Sequence, residues 1–221
     1  MTIEAKIVEC FGSDLTVVNA ARVTMGVQHE ALTQSDERLI NFLARERHVS
    51  PFRHPQASFR CEAPIAIARQ LQKHQVGFSW NEMSRRYKDG KVDVFIPKEI
   101  FSRPDDLHSG SGHTLGGEEK DQALVLFNEA YEKSVSTYEE LLKFIAPEQA
   151  RFVLPQGMVT TWYWTGSLYG WSELCRQRLS THAQYEVRLF AQHIDAELSK
   201  TYPIAWAALR NQHDNTTVPS V

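Results

Sequence analysis

The stretch from Arg69 to Tyr87 constrains this chain more than any other, because a polar helix face, a glycine and a polar extended segment follow one another directly. Ala63-Pro64 precedes it, and proline suits the first helical turn because its missing N–H has no partner to lose there. A helix begun at Pro64 carries Gln70, Lys73 and His74 on one face, three and four residues apart. Gly77 ends it. Beyond the glycine, Glu82, Ser84 and Arg86 alternate, so an extended backbone aims all three side chains the same way. Between the two faces, the glycine lets a ligand approach the backbone closely. One by one these residues read as a solvated helix and loop; interleaved with Trp80 and Tyr87 they read as a binding surface.

Length and charge narrow the classes. A chain of 221 residues is long enough for one well-buried domain, with two domains as the lesser alternative. The formal net charge of −3 argues against non-specific nucleic-acid binding but leaves room for a local basic pocket. No apolar run reaches membrane-spanning length, and the N-terminus lacks a signal-peptide pattern. Cys10, Cys61 and Cys175 are odd in number and widely spaced, as reduced thiols of a cytoplasmic protein would be. They show no zinc spacing, and no metal is expected.

Periodicity divides the rest. Residues 3–10 alternate as a strand, and 15–25 read as a helix closing at Gly26. Ser35-Asp36-Glu37 opens a helix with acidic residues in its first turn, and Leu39, Ile40, Phe42 and Leu43 form its buried stripe. Ala57, Phe59 and Cys61 alternate with polar neighbours as a half-buried strand, and 92–97 read as another short strand. The polar segment 102–118 is expected as a flexible surface loop or insertion. A long amphipathic helix follows over 119–145, with Leu124, Phe127, Tyr131, Val135, Tyr138, Leu141 and Leu142 on its buried side. Residues 160–165 suit a strand and 166–178 a helix; Thr181 and Gln184 form a capping box for the next helix. The tail over 211–221 is expected to fray.

Several stretches resemble the signatures of flavin-dependent thymidylate synthases. That family reads Arg-Gln-x-x-Arg-His-Arg, a spacer, then Asn-Glu-x-Ser-x-Arg-Tyr; this chain has Arg69-Gln70-x-x-Lys73-His74-Gln75 and Asn81-Glu82-x-Ser84-x-Arg86-Tyr87, with a spacer one residue longer. Ala20-Ala21-Arg22-Val23-Thr24, the run from His48 through Ser50-Pro51-Phe52 to His54, Ala150-Arg151-x-x-Leu154-Pro155 and Arg178…His182-Ala183-Gln184 match further family segments in order. Lys73 and Gln75 stand where the family has arginines, Arg53 where it has an acidic residue, and Ser167, Tyr169 and Glu173 where it commonly has Asn, Arg and Asn or His.

The resemblance implies an α+β fold, a mixed sheet with flanking helices in a single catalytic domain over 1–221, assembled as a homotetramer whose sites combine residues of several subunits. It implies reductive methylation of dUMP to dTMP, with methylenetetrahydrofolate as carbon donor and NADPH-reduced FAD as hydride donor. Gln70, Glu82, Ser84, Arg86, Arg151 and Arg178 would bind the nucleotide, with Ser84 and Arg178 catalytic. Thr24, His48, Ser50, Lys73, His74, Gln75, Asn81, Ser167, Tyr169 and Glu173 would border FAD. The altered arginines keep open a hydroxymethylase or methylase acting on dUMP or dCMP, and a non-catalytic nucleotide-binding relative. The Pro-Cys-His nucleophile motif of the classical thymidylate synthases is absent, as is a Rossmann glycine fingerprint.

Overall fold

Ala57, Phe59 and Cys61 take the inner face of strand β2 (Gln56–Pro64), each at 1% exposure or less, as the period-two pattern requires. The computed structural model describes residues 3–87, 90–106 and 110–214. Around β2 lie β1 (Glu4–Phe11), β3 (Phe78–Glu82) and β4 (Val159–Ser167), in the order β1-β2-β4-β3. The sheet is antiparallel rather than mixed. Its register shows in paired contacts: Ser58 Oγ with Thr165 Oγ1, and the Ile65 N–H donating to the Met158 carbonyl, so that one strand number rises as the other falls.

The helices are α1 (Asp14–Arg22), α2 (Gln34–Arg45), α3 (Ile65–Leu71), α4 (Gly117–Leu141), α5 (Pro147–Ala150), α6 (Leu168–Arg178), α7 (Tyr185–Thr201) and α8 (Pro203–Asp214). Among the described residues, none is long and apolar enough to cross a membrane. The chain divides into two compact units. One comprises Met1–Glu4, Glu62–Lys73 and Asn81–Trp162; the other comprises Ala5–Cys61, His74–Trp80 and the chain from Tyr163 onward.

The first unit packs Tyr138, Ala150 and Met158 with Ile65, Val135, Leu141, Ile145 and Leu154. Along α4 only Tyr138 is fully buried, so the broad apolar side expected of this helix is for the most part half-covered. The second unit is built on aromatic rings. Trp171 meets Phe59, Phe78 and Trp164 edge-on at centroid distances of 4.9, 4.7 and 5.0 Å, and its indole N–H donates to the Ala57 carbonyl. Gly166 makes room for this, since a Cβ there would run into the Phe78 ring. Buried Asp36 gathers the loop before α2: it accepts from Arg22, from the Thr33 hydroxyl and N–H, and pairs with His29.

Several local expectations are corrected. Thr33, not Ser35, caps α2, and its N–H and hydroxyl both donate to the Asp36 carboxylate. Phe42 is 43% exposed and Ala44 takes a buried place on that helix. The predicted strand 92–97 is reduced to the Val94–Met158 bridge. The cap of α7 is Gln184 without a side-chain bond; the Thr181 carbonyl instead accepts from Arg188. The ends of the 102–118 segment are tied, with Phe101 bridged to Thr114 and the Leu115 N–H donating to Ile100, while 107–109 lie outside the described residues. Of the expected frayed tail, 211–214 continue α8 and 215–221 lie outside the described residues.

Candidate functional site

In the first unit a pocket of ≈ 330 Å³ opens among Arg69, Glu82, Arg151, Gln156 and Thr160, with Met83 and Phe152 as apolar wall. Pairing of β3 with β4 sets its acidic side. Met83 N–H donates to the Thr161 carbonyl, which brings Thr160 to Glu82, and the Thr160 hydroxyl donates to the Glu82 carboxylate at 2.8 Å. The basic side comes from α3 and the turn after α5. Arg69 donates through Nη1 to the Gln156 Oε1 at 3.2 Å, and Arg151 opens a short 3₁₀ turn with its Nε donating to the Glu148 carbonyl.

Ser84 and Arg86 do not continue the alternation begun by Glu82, because the chain turns after Met83. The Ser84 hydroxyl accepts from the Arg86 N–H, and the Ser84 carbonyl accepts from the Tyr87 N–H. Arg85 holds that turn. It is 6% exposed and donates through both terminal nitrogens to the carbonyls of Gly90 and Lys91 at 2.6 and 2.7 Å. Arg86 points outward, paired with the Glu148 carboxylate at 3.2 Å and stacked over Tyr87. Gln70 lies half-buried on α3.

The predicted face joining Gln70, Lys73 and His74 does not form, since α3 ends at Leu71. Lys73 and Asn81 are exposed in the first unit, and Gln75 is exposed in the second. His74, half-buried in the second unit, accepts from the Arg178 Nε–H through Nε2 at 2.9 Å. Burial first, and then the Arg178 charge, bring the His74 pKa down to about 4, so the imidazole is neutral. Burial likewise lowers the Arg178 pKa.

The remaining predicted residues of the second unit divide by how they are engaged. Thr24 donates its hydroxyl to the Ala21 carbonyl, the Ser167 hydroxyl caps α6 by accepting from the Gly170 N–H, and Glu173 pairs with Arg176. The Tyr169 ring lies under the Arg53 guanidinium at 5.5 Å. His48 and Ser50 are exposed, His48 edge-on to Phe42.

Of the expected nucleotide residues the structure thus places Glu82 and Arg151 at one pocket, with Ser84 and Arg86 on the adjoining turn, and Arg178 in the second unit with His74. Sequence reasoning missed Arg69, Gln156, Phe152 and Thr160 as pocket residues and Arg85 as the clip of the turn. Arg69 and Arg85 stood inside the organising stretch, as cations beside the assigned ones. For Thr160 there was no local signal, because only strand register brings it to Glu82.

Residues 6–204 match the family described as thymidylate synthase complementing protein. The chain is 34% identical over 204 residues to a flavin-dependent thymidylate synthase of Thermus thermophilus, covering 92% of this chain and 74% of the relative. It is 33% identical over 210 residues to the enzyme of that name from Kosmotoga olearia, covering 93% and 89%. Its fold matches the crystal structure of a UMP/dUMP methylase, PolB from Streptomyces cacaoi, bound with 5-Br dUMP, at a TM-score of 0.83 and 29% identity over 95% of both chains.

Proposed function

The chain belongs to the family of thymidylate synthase complementing proteins, and from that premise we propose that it is a flavin-dependent thymidylate synthase methylating dUMP to dTMP. The carbon donor in this reading is methylenetetrahydrofolate and the hydride donor is NADPH-reduced FAD. The observation that carries the reading is the pocket in which Arg69 and Arg151 flank Glu82, with Ser84 and Arg86 on the adjoining turn. A nucleoside monophosphate brings nearly two negative charges, and arginine forks grip such an oxyanion in two places. The ion pair that Arg86 makes with Glu148 is about half exposed on both sides, so a phosphate displaces it at little cost. Ser84 adds a hydroxyl donor. Arg178 stabilises negative charge that develops on the pyrimidine oxygen as C5 becomes nucleophilic. No cysteine of this chain lies in a matched motif, and Cys61 and Cys175 are buried with thiol pKa values raised by burial.

The donor set suits FAD. Its diphosphate needs N–H or O–H donors, which exposed His48, Ser50 and Gln75 of the second unit offer, and Tyr169 offers a ring; the cation expected at Lys73 belongs to the first unit. Thr24, Ser167 and Glu173 already have internal partners, so they act at the border of such a site rather than as its main grip. Bound FAD supplies the hydride that completes the methyl group. Lysine keeps a charge but not a bidentate fork, so FAD is held more loosely here than where the Arg-His-Arg motif is complete. Lys73→Arg with Gln75→Arg tightens it. The active form in this reading is a homotetramer in which Arg178 and Ser84 of one site come from different subunits, and light scattering that finds an active monomer refutes that arrangement.

The direct test is to titrate FAD by its absorbance and then assay dUMP with methylenetetrahydrofolate and NADPH. Formation of dTMP supports the reading. Binding of dUMP without FAD binding at any accessible concentration refutes the redox step, and a hydroxymethylated product made without NADPH replaces it with hydroxymethyl transfer. UMP belongs in the same assay, because the fold also matches PolB bound with 5-Br UMP at a TM-score of 0.82 and 29% identity.

A further inference from the structure

We infer that His74 is a positioning residue for Arg178: its imidazole accepts the guanidinium Nε–H through Nε2 and so fixes which edge of Arg178 meets the substrate. The inference rests on the reading that Arg178 faces the pyrimidine. A guanidinium can grip an acceptor along its Nε edge or along its paired Nη edge. The 2.9 Å bond to His74 takes Nε, and the Nη nitrogens have no hydrogen-bond partner among the described residues. The Nη edge is therefore the one presented to a carbonyl or enolate oxygen.

The same bond assigns the tautomer of His74. A ring nitrogen that accepts carries no proton, so the proton is on Nδ1 and Nδ1–H is the group His74 has left to donate. The neutrality of the ring, with its pKa at about 4, suits an acceptor beside a cation. Arg178 stands in the last turn of α6, where the helix dipole favours a positive charge. The composition of the motif points the same way. Lys73 and Gln75 replace both arginines of Arg-His-Arg while the histidine between them stands, and the bond to Arg178 gives that histidine a task separate from flavin binding.

Two experiments test this. In the assay for dTMP, His74→Ala lowers kcat roughly 100-fold, the scale for a misplaced catalytic group, with little change in nucleotide KM. His74→Gln, whose Oε1 can replace Nε2 as acceptor, recovers much of the loss. Added imidazole restores His74→Ala, and more so above the imidazole pKa of about 7, because only the neutral ring accepts. A loss shared equally by kcat and KM and rescued by neither route overturns the proposal. Independently of activity, ¹⁵N NMR of the wild-type protein shows the Nδ1–H tautomer for His74; an Nε2–H tautomer rules out the bond and with it the inference. If the wild type makes no dTMP while NMR shows Nδ1–H, the fault lies with the reading of the reaction and not with the hydrogen bond.

Discussion

The pocket cations of the first unit and Arg178 of the second are held in opposite ways. Around the pocket, Arg86 is paired with a half-exposed carboxylate, Arg69 reaches a neutral amide, and Arg151 donates to a backbone carbonyl through Nε. In the second unit, Arg178 is half-buried against a neutral histidine, in the unit whose interior is the Trp164–Trp171–Phe78 ring cluster. The first arrangement suits capture of an anion, since weak solvated partners are cheaply exchanged. The second suits orientation of a reacting ring, since a group fixed beforehand needs no reorganisation during the reaction.

The largest effect expected on this contrast comes from the second unit's interior. Trp171→Ala removes a fully buried ring and its hydrogen bond to Ala57, and urea unfolding should show a loss of about 3–5 kcal/mol. A loss below about 1 kcal/mol would mean that the aromatic cluster does not make this unit rigid.

Asp36 comes next. Burial pushes its carboxyl pKa up, but hydrogen bonds from Thr33, His29 and Arg22 outweigh burial and hold it below the usual carboxylate range. A carboxyl depressed in the folded state stabilises fully above its unfolded pKa of about 3.9, and that contribution is lost as pH falls. Asp36→Asn should cost about 3 kcal/mol at neutral pH, the lower end for breaking a buried pair. Its deficit against wild type should narrow below about pH 4, and thermal melts across that range check the sign.

Smaller changes fall at the pocket. Arg151→Ala or Arg86→Ala should weaken dUMP binding by about 1.5–3 kcal/mol each in calorimetric titration while leaving unfolding nearly unchanged. Equal affinity in variant and wild type would show that these cations do not bind the phosphate. Smallest of all is Glu148→Gln, which removes only a solvated partner of Arg86. Stability should move by less than about 1 kcal/mol, and a larger loss would mean that the pocket is locked as firmly as the second unit.

Much of the fold was legible where the signal was local and periodic. The alternation of Ala57, Phe59 and Cys61 predicts β2, and the apolar spacing over 119–145 predicts α4, because side-chain direction follows from backbone period alone. The site was legible as a set of residue types, not as an arrangement. Gln70, Lys73 and His74 share a face only while the helix continues, and it stops at Leu71. Glu82, Ser84 and Arg86 share a direction only while the strand continues, and the turn clipped by Arg85 ends it.

What the sequence determined by itself was the stock of the candidate site: the order of the motifs and the cations and carboxylate within them. What only the tertiary structure decided was which of these meet. Thr160 lies 78 residues from Glu82 and Arg178 lies 104 residues from His74. No periodicity reaches across such separations. The first contact depends on how β3 registers against β4, and the second on how the last turn of α6 packs beside the segment before Gly77. Both registers are set by burial of the strands and of the aromatic core, whose energy is summed over many residues rather than stored in the motif itself.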